Sequence, residues 1–435
     1  MKRGFFAILA FVMALASGQH SGATELRARG EFKTQFSWWH NAAPGGPDFS
    51  DETRETFTAM QRIRMWFDFV VSENLKATYA AEASTFHWGD PAAGMATGGR
   101  SANVKTLEAY VDFRVPGLSD AGLRVGLQPF VVPGNLGSHV FDDRATAILA
   151  TIPAGDHLGL TGGWARPYNG CPNEPETSEA LDLALLFLPV HVDGLEVTPY
   201  YIHAFVGDDL PSVRKLSANP GVPEAPVTGN AKAWWAGASA RAAIFDPLVV
   251  MADFTYGRFS QDRDPATGLE KIQGWVMDLA VDYVLESMTP EVFLLYQSGD
   301  TDKSDGVVGV MPALFPDVAA TTFLYDGSAL LDGGGNGGVW EVSPLWAVGG
   351  KIKNLTLVPS LCHTLTLMYA RGTSDTDCGQ TFHRKDSLWE ADLDTRYAIF
   401  EELAAVAELG YIKPSYDDRE SKAAYRLSLG LAYTF

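Results

Sequence analysis

The sequence predicts an all-β fold, a transmembrane antiparallel β-barrel of about 18 strands, with about 16 as the second choice. Three observations carry that prediction. Short runs with apolar residues at every second position recur along the chain, which is the period of a two-faced strand. No stretch approaches the ~18 uninterrupted apolar residues that would read as a membrane helix. The runs are joined alternately by tight turns and long polar loops, as the two rims of such a barrel require.

In chain order, residues 1–23 have the parts of a secretory signal peptide. Lys2 and Arg3 form a charged start, Phe5 to Ala16 an apolar run, and Ser21-Gly22-Ala23 a small-x-small cleavage site. The apolar run is too short for a spanning helix, which needs about 20 residues. Residues 24–435 are expected to form one barrel domain, because a barrel grows by strand number and not by core volume.

The first alternating run sets Leu26, Ala28, Phe32, Phe36 and Trp38 against Glu25, Arg27, Arg29, Glu31 and Lys33. The next sets Ile63, Met65, Phe67 and Phe69 against Arg62, Arg64 and Asp68, and the turn Ser72-Glu73-Asn74 leads into Leu75–Ala81. Similar runs lie at 107–114, 274–283 and 403–411. The final run, YRLSLGLAYTF, places Tyr425, Leu427, Leu429, Leu431, Tyr433 and Phe435 on one face. Arg426, Ser428, Gly430, Ala432 and Thr434 take the other, over a length that matches the ~9–11 tilted residues of a spanning strand.

Short turns are expected near 72–74, 116–120, 153–156, 190–194, 243–248, 285–289 and 400–402. Long loops are expected near 40–56, 87–103, 131–143, 167–178, 207–231, 260–272, 299–344, 372–388 and 413–422. The strand count is softest over 144–166, 345–371 and 403–412. Phe36, Trp38 and Trp39 sit at one strand end, Trp164 and Tyr168 at another, Tyr200 and Tyr201 within a third strand, and Trp234 and Trp235 near a fourth. Girdles at the membrane–water boundary would place them so, as would the preference of aromatics for strands.

Composition narrows the function. The net charge is −20, which argues against nucleic acid as a partner. The mean hydropathy of −0.03 suits a soluble chain or a barrel with a wet lumen and decides nothing. Three cysteines are too few for a disulfide framework, and a bridge between Cys171 and Cys378, both in expected loops, is left open. No G-x-S-x-G, H-E-x-x-H or Cys-x-x-Cys motif occurs. His139, His157, His203, His363 and His383 have no motif partner, so no enzyme is expected.

Side-chain parity points to a lumen lined by bases. Arg27, Arg29, Lys33, Arg62, Arg64, Lys76, Arg114, Arg124 and Arg426 share the polar face of their runs. Facing lipid at the midplane would cost about 2–4 kcal/mol each, so the inward orientation is expected, as a basic arc at a narrow point or as scattered wall charges. In GDTDKSDG, Asp300, Asp302 and Asp305 offer alternate oxygen ligands for Ca²⁺, but the spacing misses the EF-hand pattern, so no metal and no cofactor are assigned. Gly333–Gly338 lacks the Lys of a phosphate-binding loop and reads as plain loop.

The terminal LGLAYTF, with ATELRARGEF, QPFVVPG and GWARPYN, resembles Gram-negative outer-membrane porins, most of all the homotrimeric porins of sulfate-reducing bacteria. The resemblance spans essentially all of residues 24–435. It implies an outer-membrane location, contact with outer-membrane lipid, a homotrimer, and passive diffusion of small hydrophilic solutes and ions. It also implies that Tyr433 and Phe435 form the signal read by the barrel-assembly machinery. A third loop folded into the lumen is implied too, which here is 131–143 with Asp142 and Asp143 facing the basic arc; the far longer 299–344 is the other candidate plug. Two alternatives stand beside the open pore: a substrate-specific or loop-plugged barrel that binds one solute, and a secreted soluble β-protein that binds carbohydrate.

Overall fold

The computed structural model describes residues 24–42, 55–90, 104–118, 120–169, 179–208, 210–217, 219, 222, 224–302, 306–325, 327–331, 343–378, 380 and 382–435. The expected signal peptide, Cys171, Asp305 and the Gly333–Gly338 run lie outside the described residues.

Eighteen antiparallel strands form one closed sheet. They are β1 (Glu25–His40), β2 (Glu55–Ser72), β3 (Leu75–His87), β4 (Val104–Arg114), β5 (Gly122–Val131), β6 (Asp142–Pro153), β7 (Gly159–Asn169), β8 (Ala180–Phe187) and β9 (Leu195–Val206). The circuit continues with β10 (Lys232–Phe245), β11 (Leu248–Ser260), β12 (Lys271–Tyr283), β13 (Thr289–Gln297), β14 (Leu345–Val358), β15 (Leu361–Gly372), β16 (Ser387–Ala398), β17 (Leu403–Ser415) and β18 (Ala424–Thr434). Each strand pairs with the next, and β18 returns to β1 over Glu31↔Thr434 to His40↔Tyr425. The Phe435 N–H donates to Gly30 O at 3.0 Å and Gly30 N–H donates to Phe435 O at 2.8 Å, extending that closure.

Closure explains how one chain can carry so many two-faced strands. A sheet without edges satisfies every backbone group within itself, the condition for crossing hydrocarbon. The outward residues are apolar: on β18 these are Leu427, Leu429 and Leu431, and on neighbouring walls Leu409, Leu367, Met277 and Val125. Such a continuous apolar exterior is incompatible with the soluble carbohydrate-binding alternative. At the long-loop rim an aromatic belt runs through Tyr201, Trp234 and Tyr256, then Trp275 and Tyr296, then Trp346, Tyr369 and Trp389, to Tyr411 and Tyr425.

The soft regions of the sequence resolve as strands. Residues 345–372 make two, joined by a tight turn at Pro359-Ser360 that the sequence did not announce. Ser360 takes a left-handed φ of 66°, a conformation Gly or Asn usually fills, so the turn lacks its usual signature. β8 breaks at Pro189, which has no N–H to give the ladder, and resumes as Val190–Val192 paired to β9.

Among the described residues, two long loops meet each other inside the barrel, and the 210–227 segment packs into the same apolar cluster as the first of them. L3 (132–141) and the described parts of L7 (298–344) meet in a two-stranded bridge, Gly137-Ser138 against Asp317-Val318. The apolar interior is therefore not a single globular core. One cluster forms where L3 and early L7 meet the wall, around Phe130, Phe141, Ile202, Trp235 and Phe259. The other forms where later L7 meets the opposite wall, around Trp39, Phe293, Phe323 and Leu388. Each fully buried large side chain contributes about 1.5–3 kcal/mol to holding the loops in.

Candidate functional site in the barrel lumen

The lumen has two unlike walls. Along β1–β5 the polar parity carries charges of both signs. Glu31 lies 3.2 Å from Arg62, 3.7 Å from Arg64 and 3.8 Å from Lys33. Arg64 Nε donates to Glu82 at 2.5 Å, and Lys105 meets the same carboxylate at 2.9 Å. Arg124 donates to Asp112 at 2.6 Å and lies over Tyr110. Arg29 lies over Trp66, whose indole N–H donates to Glu108 at 3.2 Å. The acids share the parity of the bases because cross-strand neighbours in a low-dielectric wall need compensation.

This corrects the expected basic arc. Glu31, Glu82, Glu108 and Asp112 sit among the arginines, so the wall is a ladder of ion pairs. The signal was in the sequence, since these acids alternate in register with Arg29, Arg64 and Arg124. Three of the named bases lie away from the middle. Arg27 pairs with Glu25, and Arg114 with Asp120, at the short-turn rim, both more than half exposed. Arg426 is 1% exposed, sealed under L7, where it donates to Thr322 O at 2.7 Å and lies 3.4 Å from Glu408. Lys76 is half-buried opposite Asp112.

L3 crosses towards β10–β12. Asn135 donates its backbone N–H to Asp253 at 2.7 Å and its side-chain amide to Asp253 at 2.8 Å and Ser239 at 3.1 Å. His139 Nε2 lies 2.6 Å from Asp278, both buried. Burial would push this imidazole down, but the Asp278 carboxylate, as charge and hydrogen-bond partner, and the charge of Asp253 hold it above its ordinary value. Asp142 and Asp143 do not face the ladder from the loop tip, as the resemblance implied. They open β6, with the Asp142 N–H donating to Phe315 O at 2.8 Å and Asp143 lying 3.5 Å from Arg144.

L7 runs along β12 and then across to β16, β17, β18 and β1. Trp235 Nε1 donates to Pro312 O at 2.7 Å. Glu390 accepts from Thr321 Oγ1, Phe323 N and Leu324 N, and Asp392 from Thr322 N. Glu408 accepts from Ser328 Oγ and Ala329 N at 2.8 Å each, and Gln35 from Leu331 N at 2.8 Å. Glycines on the lumen parity make room. A Cβ on Gly274 would stand 2.5 Å from Met311 N, and one on Gly410 would stand 2.7 Å from Phe323 Cβ. These seats were the part of the site that sequence reasoning missed, although a glycine on the polar parity of a strand is a signal of close approach.

The remaining opening is defined by exposure. Glu31, Lys33 and Arg64 on β1–β2 each keep 19% exposure, and Arg124 38%. On the loop-covered wall Glu390, Asp278 and Glu408 keep 1% or less. Within the ladder itself Arg62, Glu82 and Glu108 are buried at 5% or less, so the exposed charges are Glu31, Lys33, Arg64 and Arg124.

Among the expected metal ligands, Asp300 is buried, bonded through its N–H to Ser374 Oγ at 2.9 Å, and the Asp302 N–H reaches its carboxylate at 3.4 Å. No group of three or more His, Cys, Asp or Glu suited to a metal occurs among the described residues. Burial and the charges of Asp300 and Asp375 push the Cys378 thiol up to about 11.

A closed antiparallel barrel that is apolar outside, charged inside and crossed by loops from one rim is an outer-membrane-type channel fold. Solved structures of outer-membrane porins from Pseudomonas aeruginosa share it. OpdL is 12% identical, with a TM-score of 0.57 over 94% of this chain and 99% of that one. OpdQ is 12% identical, with a TM-score of 0.54 over 94% and 98%. OccK8 (OprE) is 11% identical, with a TM-score of 0.53 over 94% and 98%. At such identities the likeness is one of fold. No protein-family model matches the chain, and no curated protein matches it.

Proposed function

We propose that the protein is a channel in the outer membrane of a Gram-negative bacterium, passing small hydrophilic solutes and ions passively along the β1–β5 ladder. The observation that supports this reading is the exposure of Glu31, Lys33, Arg64 and Arg124 on the ladder, set against Asp278, Glu390 and Glu408 buried under two pinned loops. Arg29, Lys33, Arg64, Lys76 and Arg124 are the bases assigned to that passage, with Arg62, 5% exposed, paired to Glu31 in the wall. Because Glu31, Glu82 and Asp112 compensate them, ion preference is set by the balance of the ladder and not by a net basic wall.

The homotrimer implied by the sequence resemblance is part of the proposal. It is supported by the outer wall of β4–β6, where Val104, Thr106, Leu127, Pro129 and Thr146 interrupt the aromatic belt. The test is single-channel recording of the purified protein in a planar bilayer. Stepwise ohmic currents, arriving in threes, are expected. Absence of current from heat-resistant, folded protein would overturn the channel reading.

A second reading, a substrate-selective barrel, is favoured by the hydrogen bonds that pin L3 and L7 across the lumen. A fixed narrow passage can bind a fitted solute, so the current would then be blocked saturably by one solute class. Currents unaffected by any of a panel of sugars, amino acids and carboxylates would leave the general pore.

A further inference from the structure

On three adjacent strands the outward parity gathers cations just above the aromatic belt. Lys232 on β10 and Lys271 on β12 flank Ser260 of β11 in one cross-strand row. Arg258 lies one row below, between Trp234 and Gln273, and the next row down holds Tyr256 and Trp275. Strands are ~4.8 Å apart, so the two lysine Cα atoms lie about 10 Å apart, within reach of one tetrahedral anion for side chains of this length.

Lys232 is exposed, and Arg258 and Lys271 are half-buried. None of the three makes a side-chain ion pair or hydrogen bond among the described residues. The acids beside them in sequence are engaged elsewhere, Asp262 with Asn230 at 2.9 Å and Glu270 with Arg263 at 3.1 Å. Other outward cations at this rim are tied: Arg166 to Asp182 at 2.7 Å, and Arg371 to Arg384 O at 2.5 Å. The opposite rim of β10–β12 ends in exposed Ile244, Leu248 and Tyr283, with the acids Asp246 and Glu286 exposed in its turns.

In a chain of net charge −20, three unpaired bases on one patch of outer wall need a counter-charge. We infer that β10–β12 form a binding site for the phosphate of a lipid headgroup in the outward-facing leaflet. Lys232, Arg258 and Lys271 hold the phosphate, the aromatic row lies at the headgroup boundary, and the acyl chains lie on exposed Phe254, Met277 and Leu279 below it. The inference rests on the outer-membrane reading, with the long loops outward.

The test titrates the full-length protein in detergent with lipid A and with the same lipid stripped of its phosphates, read by native mass spectrometry. The parent is compared with the combined variant Lys232→Gln, Arg258→Gln, Lys271→Gln and with a control, Arg384→Gln plus Lys385→Gln. Phosphorylated lipid is expected to bind roughly tenfold or more tighter than the stripped form, with that margin lost in the triple variant and kept in the control. Equal binding of both lipids, an unchanged triple variant, or equal displacement by inorganic phosphate would overturn the inference. Bilayer current from the triple variant keeps the tests separate: intact current shows a folded barrel, whereas a silent parent sinks the channel reading instead.

Discussion

Arg64 shows how closely the ladder is balanced. It lies between Glu31 and Glu82, and Glu82 is 2% exposed. Arg64→Ala would leave that carboxylate with Lys105 alone, a loss of about 1–3 kcal/mol for a buried acceptor short of a donor. In a salt gradient the reversal potential of this variant is expected to move towards cation preference; an unchanged potential would place the passage elsewhere. Gly410 gives a prediction of a different kind. Gly410→Val sets a side chain where Phe323 packs, so L7 is expected to lift and conductance to rise while the barrel stays heat-resistant. At this scale the sequence was half legible. The parity of Arg62 and Arg64 placed them inward, but the acids of the same parity needed the cross-strand register before they read as partners. Arg426 could not be placed by parity alone, because inward means open only where no loop lies over the wall.

Among elements, strands were far more legible than loops. A period of two over ten or more residues repeats its signal many times, whereas an inserted loop has no period. L3 was expected to fold in, and it does so even though it is short, because L7 meets it at Gly137-Ser138. L7 was named from its length as the other candidate plug, but its seats were not legible, since they are single glycines and single carboxylates on distant strands. His139 makes L3 sensitive to pH. Its pKa is raised in the folded protein, so the charged latch to Asp278 is complete below the ordinary value of 6.5 and is lost as pH rises through the higher folded value. Current noise from loop motion is therefore expected to grow on the alkaline side, and His139→Gln is expected to flatten the dependence. A parent channel indifferent to pH over that window would show that the latch does not hold the loop.

At the scale of the whole molecule, the barrel and its filling are separable. The wall is closed by β1–β18 pairing, and among the described residues L7 adds to it a two-residue parallel bridge, Val307-Val308 against Lys271-Ile272 at the rim end of β12. Replacing 307–331 by a short Gly-Ser link is expected to leave a folded, heat-resistant barrel with several-fold larger conductance. A variant that fails to fold would show instead that the buried face of L7 is needed for assembly. The bridge between Gly137-Ser138 and Asp317-Val318 also ties two stretches some 180 positions apart into one arch across the pore. An arch of that kind stands or falls as a unit. The electrical record of a single channel should therefore step between a few sharp sublevels, with shared dwell times, and not drift through a continuum.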